Sequence, residues 1–235
     1  MVNRRRLKVS LSAQKEGVIM NMLTKLALGM MGKLRPKPAK GNSATSILLP
    51  PPEKTGGLPL MEALARRHSS RDFAGTPLPL PLLSNLLWSA YGMNRTDGGR
   101  TAPSALNAQE IDVFVALPAG AYLYDAATHQ LHLVAASDLR SVTGYQDFVD
   151  EAPLDLVYVA NHTRMGMVPV AQREIYAATA AGAITQNVYL FAAGNNLASV
   201  IRALIDRAAI ADALGLSHEQ QVLLSQTVGY HKVVA

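Results

Sequence analysis

Arg67, Ser69 and Arg71 follow one another at two-residue spacing in the stretch RHSSRDF, and Arg100, Ser104 and Asn107 recur in RTAPSALNAQ. Guanidinium groups and a hydroxyl are the donors a phosphate monoester needs. The first give forked, charge-assisted hydrogen bonds and the second adds another donor. Ser and Asn beside them suit a polyol chain or the edge of a heterocycle. The pattern points to a phosphate-bearing cofactor gripped by side chains. No Gly-x-Gly-x-x-Gly follows a strand, so a dedicated dinucleotide-binding domain is not expected. The same arginines also fit as solvated charge near a helix end, favourable to its dipole. A cap for the turn that follows it is the other reading of Asn107.

Other chemistries have less support. The chain has no cysteine, which excludes disulfides, Cys-zinc sites and a thiol nucleophile. Its six histidines (His68, His129, His132, His162, His218, His231) form no ligand spacing and no HExxH occurs, so no metal site is expected. The net charge of +5 is unevenly spread: residues 1–40 hold ten Lys/Arg against one Glu, and residues 41–235 carry a net −4. A basic arm therefore precedes a mildly acidic domain, and the basic balance does not argue for nucleic acid. Residues 1–45 read as a basic, partly apolar leader or disordered arm. The run 18–31 is broken by Lys25 and is short for a membrane span. An export signal, an amphipathic segment on an anionic membrane surface over residues 1–35, and a late true start codon all stay open. Localisation is correspondingly cytoplasmic or periplasmic.

The domain spans residues 46–235. Its elements must carry the two arginine stretches. Leu58–His68 and Pro81–Tyr91 read as helices with Pro in the opening turn, and Phe73 as a core plug after the first. Pro103 prevents a regular helix through Arg100–Gln109. Ile111–Leu117 and Leu154–Ala160 are near-continuous apolar runs and read as core strands. Ala121–Tyr124 and Gln130–Val134 read as a hairpin that leaves His129 and His132 on an exposed edge. Ser137–Phe148 reads as a helix capped by Ser137. Pro169–Leu204 is the longest helical stretch, broken at Gly194–Asn196, with Gly182 allowing a close backbone approach. Ile205–Leu214 is a further helix and Gln221–Val228 the last strand. The class is α+β: helices around a central mixed or antiparallel sheet of four to five strands.

The segments ARRHSSRDF, LLWSAYGMNR, RTAPSALNAQEIDVFV, AITQNVYLFAA and LSQTVGYHK, in this order and spacing, resemble the nitroreductase superfamily of FMN enzymes, and within it the SagB-type dehydrogenase branch. The resemblance covers roughly residues 46–235. It implies FMN as cofactor, NAD(P)H as electron donor, and two FMN sites at a homodimer interface built on the long helix. Arg67, Ser69 and Arg71 match the family's R-x-S-x-R and would contact the FMN phosphate and ribityl chain. Ser104 and Asn107 would lie along the flavin. Gln186 and Asn187 would line its surroundings, although buried amides are structural by default. Lys232 follows a Gly-Tyr-x turn where relatives keep a basic residue for the phosphate; a solvated tail is its other reading.

Three departures stand out. Leu106 takes the place of a His found in relatives, Ala203 that of a Gly, and His231 that of a Pro. The resemblance implies a flavin-centred reaction with no catalytic side chain: ping-pong reduction of nitroaromatics, quinones or similar flat electrophiles. Its closer branch implies instead oxidation of azoline rings in a modified peptide. A non-catalytic flavin-binding module is the third possibility.

Overall fold

A computed structural model describes residues 23–31, 34–41 and 43–232. The strands are β1 (Lys37–Pro38), β2 (Ser46–Leu48), β3 (Ile111–Leu117), β4 (Gly120–Asp125), β5 (Gln130–Ala135), β6 (Ser137–Asp138), β7 (Leu154–Asn161), β8 (Leu197–Arg202) and β9 (Gln220–Tyr230). Four helices are labelled: α1 (Leu60–Arg66), α2 (Leu80–Tyr91), α3 (Val170–Gly194) and α4 (Arg207–Leu214). Residues 23–30 are also helical.

Seven strands form one sheet in the order β2-β5-β4-β3-β7-β9-β8, and every pairing in it is antiparallel. The sheet thus exceeds the expected four to five strands, with two strands beyond the five read from the sequence. One addition is β2, three residues inside a Pro-rich linker, where pairing with β5 settles a conformation too short to show a period. The other is β8, LASVIR, which follows directly on the long helix. Asn195 ties its amide to the Phe191 carbonyl at 2.8 Å, and Asn196 adopts φ +53°, a left-handed turn that Asn tolerates. The chain then reverses onto β9.

The sheet separates two cores. On one face α1, α2 and α3 cover Leu86, Val113, Leu156, Ile184 and Val188. On the other, α4 covers Phe114, Val157, Val159 and Ile210 together with Leu34 and Val142. The near-continuous apolar runs of β3 and β7 follow from burial on both sides.

Residues 137–150 are not the expected helix. They form β6 and two 3-10 turns at Arg140–Val142 and Asp147–Asp150. Arg140 is buried and bonds Asp138 through Nε and Nη2 and the Ala152 carbonyl through Nη1 at 2.6 Å. Gly144 lies against the buried Arg202 guanidinium, which a Cβ would overlap. These fixed polar contacts replace the i→i−4 ladder. β1 pairs with β6, and Lys25 and Lys37 meet Asp150, so the described part of the basic arm rests on this segment.

Two further expectations change. His129 is not an exposed edge residue: Nε2 meets Ser84 Oγ at 2.7 Å and Nδ1 meets Tyr124 OH at 2.9 Å. The Ser84 hydroxyl donates to the Pro50 carbonyl at 2.6 Å, so it accepts from Nε2–H and the Tyr124 hydroxyl donates to Nδ1. Burial lowers the His129 pKa, in keeping with a neutral ring. Gly182 meets no neighbouring backbone; the space a Cβ would take is open.

Candidate functional site

The first arginine stretch begins where α1 ends. Arg67 turns extended at φ −60°, ψ 120°, and the chain then runs beside the ends of β8 and β9. The Ser70 N–H donates to the Ser199 carbonyl at 2.9 Å, the Ala74 N–H to Tyr230 at 2.9 Å and the Lys232 N–H to Asp72 at 3.1 Å. Phe73 bridges to His231 and is 2% exposed, packed on Phe148 at 5.3 Å. This anchoring brings residues about 160 apart in the chain, Arg71 and Lys232, to one corner.

The side chains at the corner differ in how far they are engaged. Arg67 lies over the Tyr189 ring, 5.4 Å from its centroid. Ser69 Oγ is 2.8 Å from the Tyr189 hydroxyl, which also accepts the Ile201 N–H at 2.8 Å. Tyr189 on α3 is therefore the post on which this stretch leans. Lys232 Nζ is 3.4 Å from Glu151, an exposed and weak pair. Arg71 is exposed, and its guanidinium has no ion pair or hydrogen bond among the described residues. His68 and His231 stack at 6.1 Å beside a cavity of about 230 Å³ that Tyr189 and Asn196 also line.

The second stretch is a different kind of structure. Leu106, Asn107 and Gln109 adopt φ of 55°, 52° and 50°, strained left-handed positions for residues with a Cβ, with Ala108 at φ −66° between them. Gln109 holds it together. Its N–H donates to Ser104 Oγ at 2.9 Å, and its Nε2 donates to the Gly98 carbonyl and Asn107 Oδ1. Its Oε1 accepts from Arg100 Nε at 3.0 Å, and its carbonyl accepts from Arg164 at 2.9 Å. Arg100 thus braces this loop rather than completing the first arginine cluster. Asn107 and Gln109 line a cavity of about 470 Å³ with Tyr91, Arg100, Tyr124 and Arg164.

On α3, Asn187 Nδ2 reaches the carbonyls of Ala90 at 3.4 Å and Thr101 at 3.3 Å, tying the long helix to the end of α2. Gln186 next to it is exposed. Of the residues read from the sequence, Arg67, Ser69, Arg71 and Lys232 converge on one corner. Ser104 and Asn107 sit together on the second loop. Asn187 reaches that region only through Thr101.

Sequence reading passed over three residues that matter here. Tyr189 was a polar group in a helix, with no signal that its hydroxyl serves two partners from other elements. Gln109 looks like any loop amide. Glu110 stands at the head of an apolar strand, two residues before Asp112, and proves fully buried; an acid beside such a run is the local oddity that could have flagged it.

An antiparallel sheet with helices on both faces, an arginine corner at one end and a strained Asn-bearing loop make up an α+β protein with two polar regions. The comparisons identify it. The nitroreductase family model matches residues 64–230, and the chain belongs to the nitroreductase family. It is 50% identical to a putative nitroreductase from Ralstonia eutropha JMP134, whose crystal structure aligns at a TM-score of 0.82 over 86% of this chain and 96% of that one. A putative nitroreductase of Methanocaldococcus jannaschii is 29% identical over 151 residues, 60% of this chain and 76% of that protein. The NADPH:FMN oxidoreductase of Vibrio harveyi, complexed with NAD+, shares the fold at a TM-score of 0.56 and 18% identity, over 74% of this chain and 69% of that one.

Proposed function

We propose that this chain is an FMN-dependent oxidoreductase that uses NAD(P)H to reduce nitroaromatic, quinone or similar flat electrophiles by a ping-pong hydride transfer. The observation that carries the reading is the corner where the backbone of the Arg67–Arg71 stretch runs on to pair with the end of β9, bringing it beside Lys232. Among the described residues Arg71 has no anion to serve, and Lys232 has only a weak one. That donor set fits a phosphate monoester: a forked guanidinium, a second guanidinium held on an aromatic ring, a hydroxyl and an ammonium. Bound FMN supplies a ring that takes up a hydride and passes it on. The chain's own part is to fix the phosphate, orient the ring and leave its face open. Ser104 and Asn107, held by Gln109, are the residues for the ring side. Gln186 and Asn187 complete the set from the long helix.

The site is proposed to lie at the contact of two copies. Support comes from α3, where Ile175, Ala178, Gly182 and Gln186 fall on one exposed side at helical spacing. An open Gly182 allows two such helices to approach closely. Among the described residues no helix is long and apolar enough to cross a membrane.

The test is optical. Flavin colour in the purified protein, bleaching by NAD(P)H without oxygen and recovery on adding a nitroaromatic would bear the reading out. A yellow protein that NAD(P)H does not bleach would move the activity to azoline oxidation in a modified peptide, the function of the branch its motifs resemble. A yellow protein that no acceptor reoxidises would be a flavin-binding module. A colourless protein that takes up no FMN would overturn all three.

A further inference from the structure

The chain's one tryptophan, Trp88, is not among the buried residues of either core. It is half-buried on α2, where its Nε1–H donates to the Met93 carbonyl at 3.0 Å. Trp88 stands instead on the wall of two cavities, of about 340 Å³ and 320 Å³, that share Trp88, Ser89, Leu190 and Phe191. Each is large enough for a small organic molecule. Leu190 and Phe191 are half-buried as well, so a good part of the apolar area in this cleft is left uncovered.

Helical spacing builds the cleft. Asn85, Trp88 and Ser89 fall at i, i+3 and i+4 on α2 and share one side; Asn187, Leu190 and Phe191 do the same on α3. The two helices pack on each other, and these sides flank the cleft between them. Residues 53–57, EKTGG, form an exposed loop at one end. Its stem is fixed to α2: Ser84 Oγ donates to the Pro50 carbonyl at 2.6 Å, and the Glu53 N–H donates to Asn85 Oδ1 at 2.8 Å. Its tip turns on Gly56 and Gly57 at φ +92° and +80°, which residues with a Cβ adopt only under strain.

This stem places the Lys54 ammonium 5.5 Å from the centroid of the Trp88 ring. An exposed cation–ring contact is a weak hold. Among the described residues no carboxylate lies within ion-pair reach of Lys54. Glu53 lines the same cavity, but its Oε1 lies toward Gly56, 4.0 Å from where a Cβ there would stand. The charge beside the aromatic wall is therefore the unpaired positive one.

We propose that the α2–α3 cleft is a binding site for a small flat aromatic molecule carrying an anionic group. Trp88 and Phe191 receive the ring, and Lys54 receives the carboxylate or equivalent anion. The ring covers apolar area that the fold leaves open, and the anion gives Lys54 the partner that it lacks. None of these three residues belongs to the set assigned to FMN, and the site stands whether or not the chain binds a flavin.

The single tryptophan makes the test direct. In the 15N-labelled full chain one indole N–H resonance reports on Trp88 alone. Titration with 2-naphthoate is expected to move that resonance saturably, with half-saturation on the order of 1 mM for a ligand of this size. Lys54→Met is expected to raise that concentration about fivefold, the upper end for an exposed ionic contact. The neutral 2-naphthalenemethanol, which carries the same ring, is expected to bind both proteins alike. A resonance that naphthoate does not move overturns the proposal. Equal affinity of naphthoate for the two proteins also overturns it, as does an equal loss for both ligands, which would mean that Lys54 only shapes the loop. A protein that takes up no FMN would end the reductase reading and leave each of these readouts intact.

Discussion

The arginine corner and the Ser104–Gln109 loop hold most of the polar residues of interest, and they are built on opposite principles. At the corner the backbone is well satisfied and the cations are underused. Three backbone hydrogen bonds seat the chain, and Arg71 is exposed with no partner among the described residues. At the loop the backbone is strained and the surface polar groups are engaged with one another. Gln109 alone takes up Ser104, Asn107, Arg100, Gly98 and Arg164. The unmet groups there lie inward, at Tyr91 and Glu110. The corner is therefore suited to hold an external anion. The loop is suited to keep a fixed shape against a flat surface.

The comparison can be broken most strongly by removing the corner's anchor. Phe73→Ala should cost about 3–5 kcal/mol of stability, measured by urea unfolding, because a fully buried ring is lost. A cost under about 1 kcal/mol would show that the stretch is not seated as described. Next, Arg71→Ala should leave stability nearly unchanged and weaken FMN binding by about 1.5–3 kcal/mol, the scale of a charge-assisted contact. Asn107→Ala should be the reverse in kind, altering acceptor turnover more than FMN affinity.

Leu106→Gly should raise the melting temperature slightly. Relief of a left-handed Leu, about 1–2 kcal/mol, outweighs the added chain entropy of about 0.5–1 kcal/mol. A lowered melting temperature would mean the Leu106 side chain contributes packing despite its exposure. The smallest effect concerns pH. Burial raises the Glu110 pKa from an ordinary 4.5. Its contribution to stability is therefore fully present below pH 4.5 and is lost as pH rises through the folded-state value. Thermal unfolding of Glu110→Gln should show a flatter pH profile just above that point than the wild type.

Much of this was legible in the sequence where the physics is local. β3 and β7 announce themselves as apolar runs, and Phe73 as a lone aromatic after a helix. The R-x-S-x-R spacing shows its donors without a structure, and its convergence with Lys232 came only through family resemblance. What was not legible depends on partners distant in the chain. β2 and β8 become strands because β5 and β9 present open edges to them. Residues 137–150 avoid a helix because the buried Arg140 and Arg202 need carbonyls and carboxylates there. Glu110 reads as an ordinary acid until the fold encloses it.

The central claim is that the corner grips a phosphate carried by a redox-active ring. Equilibrium titration of FMN into flavin-free protein, followed by absorbance, tests it most directly, with Arg71→Ala alongside. Saturable binding that weakens about ten- to a hundredfold in the variant is the predicted result. No uptake by the wild type, or equal affinity in the two proteins, would contradict it.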